Sequence, residues 1–225
     1  MLSLGTCTLG DQPRIVAVVD AVIPAEQLKL LASRADLLEM RIDCWKCSIE
    51  TAVGYLREIR SSLSMPMIGT IRENDFTRSF RIEFFKACIP YVDGIDIELG
   101  TAISDTVTAI AQGKTVIVSE HDFSATPTIG GLSSMVERAR GQGADIVKIA
   151  TMANSREDVV RLLEFTRACK VPVVAFAMGP IGKVSRVIAP LFGTLFTYGY
   201  ITKPVAPGQL SVEELADEIG RYFPD

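Results

Sequence analysis

The 225-residue sequence has a single histidine, no excess of basic residues and no long apolar run. Its net charge of −4 argues against a nucleic-acid partner, which would favour a basic surface. Because no apolar run reaches the ~18 residues of a membrane helix, no membrane partner is expected either. The first residues lack the basic and apolar regions of a secretory signal. We therefore expect a cytoplasmic protein.

The five cysteines are scattered and odd in number, which is not the pattern of a disulfide framework. Cys44 and Cys47 have the spacing of a redox motif or of half a zinc site. A zinc site would need two more ligands, and the chain has only one histidine. We interpret the pair as two small apolar residues in a loop, with a redox role as the alternative.

No proline-, glycine- or serine-rich linker divides the chain, so residues 1–225 are expected to form a single domain. Short runs rich in valine and isoleucine alternate with longer amphipathic segments. Eight of these runs are predicted strands, at residues 14–19, 35–43, 66–72, 92–99, 114–121, 144–150, 171–178 and 195–200. Their average spacing of about 26 residues fits one strand and one crossover helix per unit.

Helical spacing of apolar residues predicts helices at residues 25–34, 49–63, 155–168 and 212–222. Ser211, with Glu214 three residues later, has the pattern of a capping box at the start of the last helix. Eight strand–helix units whose strands are buried on both faces predict a closed (β/α)8 barrel, the TIM barrel of the α/β class. A doubly wound open sheet is the alternative, but no glycine-rich turn follows the first predicted strand.

The most informative polar residue inside a predicted strand is Lys148. It shares a face with Ile146 and Ala150, and no neighbour in sequence neutralises its ammonium group. Removing an ammonium group from water favours the neutral amine, the form that attacks a carbonyl to make a Schiff base. We therefore predict that Lys148 is a nucleophile; a lysine in a structural ion pair is the alternative.

His121 ends the predicted strand that precedes the strand of Lys148. Barrel active sites lie at the carboxyl ends of the strands, and neighbouring strands are ~4.8 Å apart. The two side chains can therefore converge on one substrate. Since an imidazole exchanges protons readily at neutral pH, His121 is the predicted general acid and base.

Further charged residues lie on interior faces of three predicted strands. Glu39 and Arg41 share a face of one strand, Asp96 and Glu98 share a face of another, and Arg72 lies on a third. Some of them are expected to form salt bridges with one another. Arginines in excess of the carboxylates would favour a substrate that carries a carboxylate. Phosphate is the alternative ligand, since the glycines at residues 179–182 follow the seventh predicted strand.

Five segments resemble the type I 3-dehydroquinate dehydratases: EMRID (39–43), SEHDFSATP (119–127), GADIVKIATM (143–152), MGPIGKVSR (178–186) and APGQLSV (206–212). The specific feature is the pair His-Asp-Phe and Val-Lys-Ile-Ala, in that order on adjacent predicted strands. The resemblance extends over almost the whole chain.

The resemblance implies a hydro-lyase of the shikimate pathway that converts 3-dehydroquinate into 3-dehydroshikimate without a metal or other cofactor. Lys148 would form an imine with the C3 ketone, and His121 would remove the C2 proton and then protonate the C1 hydroxyl. Arg186 would bind the substrate carboxylate. The resemblance also implies a homodimer and a substrate pocket formed by Glu39, Arg41, Arg72, Met178, Arg186 and Gln209.

One departure from the family pattern concerns the histidine. Phe76 stands where the resemblance leads us to expect a glutamate that orients His121. Asp75 and Glu98 are candidates to replace that glutamate, and Asp96 is a further candidate for a supporting carboxylate.

Two other departures concern the pocket wall: Val205 stands where serine is frequent, and Phe176 stands where we expect methionine.

Two other functions also stay open. A class I aldolase would share the barrel and the imine lysine but break a carbon–carbon bond, usually in a phosphorylated substrate. A barrel that binds a carboxylate ligand without turnover is the other, and the phenylalanine at position 76 favours it.

Overall fold

A computed structural model describes residues 2–223 of the chain. In chain order, its strands are β1 (Leu2–Leu4), β2 (Cys7–Leu9), β3 (Ile15–Val19), β4 (Leu37–Arg41), β5 (Met67–Thr70), β6 (Gly94–Glu98), β7 (Thr115–Asp122), β8 (Ile146–Met152), β9 (Val173–Met178), β10 (Thr197–Tyr200) and β11 (Leu210–Ser211). The α-helices are α1 (Ala25–Leu31), α2 (Ile42–Trp45), α3 (Ile49–Ser62), α4 (Arg81–Cys88), α5 (Ser104–Ile110), α6 (Ile129–Gly141), α7 (Arg156–Ala168), α8 (Gly179–Gly182), α9 (Ser185–Ile188) and α10 (Val212–Tyr222).

The strands β3 to β10 form one curled, parallel sheet with helices between them. Their order is β10-β3-β4-β5-β6-β7-β8-β9, with β11 beside β10. Because β10 pairs with β3, the last barrel strand lies beside the first. This is the arrangement of a (β/α)8 barrel, so the predicted fold is confirmed. Each predicted strand overlaps a barrel strand; the second is shorter than predicted because α2 begins at Ile42.

The seam of the barrel lies between β9 and β10, which share no strand ladder within residues 2–223. The Leu195 amide donates a hydrogen bond across this seam to the Val173 carbonyl oxygen at 3.1 Å. Beside it, the Thr194 hydroxyl accepts from the Ala175 amide at 2.6 Å and donates to the Ala175 carbonyl at 3.2 Å. A buried threonine therefore takes the place of ladder hydrogen bonds here.

Alternation along the strands separates one apolar core inside the barrel from another between the barrel and its helices. On β8, Ile146 and Ala150 belong to the interior core, whereas Val147 and Ile149 belong to the outer core. Because side chains alternate along a strand, Lys148 lies inside the barrel, as its position in the sequence predicts.

A short hairpin of β1 and β2 closes the amino end of the barrel, and the strand–helix alternation does not predict it. Leu4 lies opposite Cys7, and Gly5 in the loop between them has φ +55°. Leu4 and Leu9 are buried in the interior core, and Leu4 lies against Gly94 at the start of β6. With this end closed, the carboxyl end is left open for a site.

The four predicted helices are present as α1, α3, α7 and α10, within three residues of their predicted ends. The predicted capping box of α10 is confirmed: the Ser211 hydroxyl accepts from the Glu214 amide at 3.1 Å, and the Glu214 carboxylate accepts from the Ser211 amide at 2.8 Å. No helix in the described part of the chain is long and apolar enough to cross a membrane.

Candidate active site

A cavity of about 360 Å³ opens at the carboxyl ends of the barrel strands. This volume is in the range of sites for one small ligand. Asp96 is fully buried at the base of the site, and Asp75 does not line the cavity. The other residues predicted from the sequence all line it: Glu39, Arg41, Arg72, Glu98, His121, Lys148, Met178, Arg186 and Gln209.

Lys148 lies at the bottom of this cavity and is only 3% exposed. Its Nζ is 2.9 Å from Asp96 Oδ2 and 3.2 Å from Glu39 Oε1. No neighbour in sequence neutralises the ammonium group, as predicted, but two carboxylates distant in sequence do. The two carboxylates are 52 and 109 residues away in sequence and reach Lys148 across the barrel interior. They offset the cost of burying the charge.

Asp96 connects three polar side chains beneath the cavity. Its carboxylate accepts hydrogen bonds from Ser119 Oγ at 2.6 Å, from Arg72 at 2.8 Å and from Lys148. Burial alone would raise the pKa of Asp96, but the charges of Arg72 and Lys148 hold that pKa well below its usual range. Asp96 therefore stays ionised and fixes the position of both cations.

His121 lies one strand away from Lys148 and nearer the mouth. On β7, Ser119 pairs with Lys148, so His121 is two residues further along its strand. No side chain within residues 2–223 hydrogen-bonds the imidazole, which lies nearly parallel to the Phe123 ring at 6.1 Å between centroids. Burial, together with the charges of Arg72 and Lys148, lowers the pKa of His121 to about 3. The ring is therefore neutral at neutral pH and can accept a proton.

The three arginines of the cavity differ in their partners. Arg41 donates two hydrogen bonds to Asp43, and Arg72 is paired with Asp96. Arg186 has no carboxylate partner among residues 2–223, and one of its nitrogens has only the Pro207 carbonyl at 3.4 Å. Burial lowers the pKa of Arg186 to about 10, so the guanidinium stays charged. Arg186 is thus the arginine in excess of the carboxylates.

The loop after β10 covers one side of the cavity. Gln209 is 7% exposed, and its side-chain oxygen accepts from the Val205 amide at 2.8 Å. The same loop contacts the glycines after β9, because the Gly179 amide donates to the Pro207 carbonyl at 3.2 Å. That amide is used within the protein, so the glycine loop lacks one of the free donors that a phosphate site needs.

A sequence model of type I 3-dehydroquinase matches residues 17–219. The chain belongs to the type I 3-dehydroquinase family. The 3-dehydroquinate dehydratase of Methanococcoides burtonii is 37% identical, over 96% of this chain and 97% of its own length. That of Methanocella arvoryzae is 38% identical, over 91% of this chain and 94% of its own length. A crystal structure of type I 3-dehydroquinate dehydratase from Clostridium difficile, with covalent modified comenic acid, has a TM-score of 0.86 at 28% identity, covering 98% of this chain and 97% of that chain.

As a type I 3-dehydroquinase, the chain departs from the expected pattern at Phe76. The Phe76 side chain is 41% exposed and packs against Phe84, with ring centroids 6.1 Å apart. Asp75, one residue earlier, is fully exposed and lies 3.7 Å from Arg78. This placement does not support the prediction that Asp75 orients His121.

Glu98, the other candidate for that task, does line the cavity together with His121. Its carboxylate is held by Arg81 and by the Glu73 amide, and it makes no hydrogen bond to the imidazole. Within residues 2–223, this type I 3-dehydroquinase therefore holds His121 through the backbone of β7 and the adjacent Phe123 ring rather than through a carboxylate.

Sequence reasoning missed four further residues that line the cavity, namely Val18, Glu73, Phe123 and Tyr198. The signal for Tyr198 is present in the sequence, because alternation along predicted strand 195–200 turns Phe196 and Tyr198 to the same face. Glu73 and Phe123 lie just beyond or at strand ends, where periodicity carries no information.

The Cys44-to-Cys47 segment shows no sign of redox or metal chemistry. Cys44 lies in the short helix α2 rather than in the predicted loop, and burial raises the pKa of its thiol to about 11. Burial also raises the pKa of Cys47, so neither sulfur is a ready thiolate. Among the described residues, no group of three or more potential ligands is arranged to hold a metal ion.

Proposed function

We propose that this type I 3-dehydroquinase is a 3-dehydroquinate dehydratase, a hydro-lyase of the shikimate pathway that acts through a Schiff base on Lys148. The observation that supports this most is the set of three groups around one cavity. They are a buried lysine, a neutral histidine on the neighbouring strand, and the guanidinium of Arg186, which has no carboxylate partner among residues 2–223. A nucleophile, a base and a carboxylate-binding group are what this reaction requires.

The reaction proceeds on these residues in four steps: imine formation, proton removal, loss of water and hydrolysis of the imine. Lys148 Nζ, after releasing one proton, adds to the C3 carbonyl carbon. That proton and a second one from the nitrogen leave with the carbonyl oxygen as water, which gives a protonated imine. His121 removes the C2 proton, and the electron pair of that bond moves into the imine as an enamine. The imidazolium then protonates the C1 hydroxyl, which leaves as water as the C1–C2 double bond forms. Hydrolysis of the imine releases 3-dehydroshikimate and Lys148.

The carboxylates of Asp96 and Glu39 suit both states of the nucleophile. The Lys148 nitrogen carries a positive charge as an ammonium group and again as a protonated imine. Anions at 2.9 and 3.2 Å stabilise this charge in each state, so they need not rearrange when the imine forms. The buried ion pair and the nucleophile are therefore compatible interpretations of the same lysine.

Arg186 is proposed to bind the substrate carboxylate because it is the cavity arginine without an anionic partner in the described residues. A carboxylate would relieve the cost of its burial. Gln209 is proposed to contact the substrate hydroxyls through its side-chain NH2, since its side-chain oxygen already accepts from Val205. Met178 and Phe176 supply an apolar wall.

Borohydride trapping tests this proposal. The protein is incubated with 3-dehydroquinate and sodium borohydride, and the intact and peptide masses are read while the absorbance of the conjugated product is followed. We expect product and a stable adduct on the peptide that contains Lys148. Absence of both would contradict the dehydratase and leave the aldolase and the non-reacting binder.

Two variants make the result specific. Lys148→Met should abolish the adduct and turnover, whereas Lys170→Met, at an exposed position, should leave both unchanged. His121→Gln should still give the adduct but little product, because imine formation does not depend on the C2 proton. An adduct that persists in Lys148→Met would place the nucleophile elsewhere.

A further inference from the structure

An aromatic ring lies directly under the nucleophile. The Lys148 Nζ is 3.8 Å from the centroid of the Tyr198 ring, and both residues are 3% exposed. A cation over the face of an aromatic ring is attracted by the negative charge of the π system, and the attraction is larger where water is excluded. The ring is therefore a third stabilising contact of this nitrogen, besides the two carboxylates.

A second ring contacts Arg186, the cation that is proposed to bind the substrate carboxylate. The Arg186 guanidinium carbon is 4.5 Å from the centroid of the Phe176 ring. Because Arg186 has no carboxylate partner among residues 2–223, this ring is a main source of stabilisation for its buried charge. It also fixes the plane in which the guanidinium can meet a ligand.

The two rings contact each other across the barrel seam. The Phe176 and Tyr198 centroids are 5.9 Å apart with an interplanar angle of 59°, and Phe196 packs edge-on against Tyr198 at 5.6 Å. Phe176 is on β9 and Tyr198 on β10, the two strands without a ladder between them. At the level of the cavity, ring packing rather than backbone hydrogen bonding couples these strands.

We propose that Phe176 and Tyr198 form a positioning pair that holds two cations of the site, Lys148 and Arg186, at a fixed separation. Tyr198 acts on Lys148 and Phe176 acts on Arg186. The inference rests on the proposed function, because it gives one ring a part in imine formation and the other a part in carboxylate binding. In this role each ring is a positioning residue, since it acts through the cation above it; Phe176 is in addition part of the apolar wall of the cavity.

The ring face of Tyr198, and not its hydroxyl, carries this role. The hydroxyl is buried and has no hydrogen-bond partner among the described residues. Tyr198→Phe keeps the face under Lys148 and removes only the unpartnered oxygen. Tyr198→Leu keeps an apolar side chain and removes the face. The two variants therefore separate the cation–ring contact from simple filling of space.

The experiment measures kcat, KM and the rate of borohydride-trapped adduct formation at saturating 3-dehydroquinate. Tyr198→Leu should slow adduct formation and lower kcat by about 10- to 100-fold, because the Lys148 Nζ loses the contact that fixes its position toward the substrate carbonyl. Tyr198→Phe should match the wild type in both. Phe176→Leu should raise KM by about 10-fold and leave adduct formation at saturation close to that of the wild type.

Phe196→Leu is the matched packing control, because Phe196 belongs to the same ring cluster but has no such contact with either cation. It should lower stability without changing adduct formation. Equal adduct rates in Tyr198→Leu and the wild type would overturn the inference, and so would an equal loss in Tyr198→Phe or in Phe196→Leu. Failure of the wild type to form any adduct would instead refute the proposed function.

Discussion

His121 makes the stability of this barrel depend on pH. Burial and the neighbouring positive charges lower the pKa of the folded-state imidazole to about 3, whereas in the unfolded chain it has its ordinary value near ~6.5. As the pH falls below that value, the unfolded chain takes up a proton that the folded protein excludes. The free energy of unfolding therefore decreases from about pH 6.5 downward and is independent of this group above it.

The magnitude follows from the two pKa values. A pH of 5 is about 1.5 units below the pKa of the histidine in the unfolded chain. Its protonation there lowers the free energy of unfolding by about 2 kcal/mol. The result is the same for any folded-state pKa below about 4. Because the chain contains one histidine, His121→Gln removes the whole contribution of imidazoles to the pH dependence of the free energy of unfolding.

Urea denaturation of the wild type and of His121→Gln at pH 7.5 and pH 5.0 measures the effect. The wild type should lose about 2 kcal/mol more than the variant over this interval. Carboxylates titrate in both proteins, so their contribution cancels in the comparison. Equal losses would mean that the imidazole titrates as an exposed one, and would refute the conclusion that the folded protein keeps it neutral.

Four further predictions concern the cations, the seam and the cysteines. Lys148→Met should lower the free energy of unfolding by about 3–5 kcal/mol in the same urea assay at pH 7.5, because Glu39 loses its cation and Asp96 keeps only Arg72. Arg186→Met should raise KM by about 10- to 100-fold while raising the free energy of unfolding, since it removes a buried charge that has no carboxylate partner in the described part of the chain. A fall in stability would contradict that absence of a partner. Thr194→Val should cost about 1–3 kcal/mol in thermal or urea unfolding, whereas Thr106→Val at an exposed position should cost little. Cys47→Ser should leave kcat unchanged in the product absorbance assay, and a loss of activity would revive the redox alternative.

Much of the site was accessible from local patterns. The period of two along a strand is a property of the backbone, so it indicated that Lys148, Glu39 and Asp96 face the interior before their neighbours were known. The order of strands in a parallel barrel follows the order in the chain, which brought His121 next to Lys148. These inferences needed only residues within one strand or in consecutive units.

Contacts across the barrel could not be predicted from local sequence patterns. Which carboxylates meet Lys148 depends on side chains from β4 and β6 reaching over the interior, and strand periodicity does not specify such distances. In the described part of the chain His121 has no carboxylate partner and Asp75 is exposed; both depend on the path of a loop, which has no period. The hairpin below the barrel is buried by tertiary packing rather than by its own pattern.

The sequence by itself therefore determined the barrel, the family and the residue types that face the cavity, because these follow from local periodicity and from motifs. The tertiary structure alone decided that Lys148 is paired, that Arg186 has no carboxylate partner among residues 2–223, and that Tyr198 lies beneath Lys148. The physical reason is that charge pairing and ring contacts depend on distances of a few ångströms between distant segments, and only the closed barrel fixes those distances.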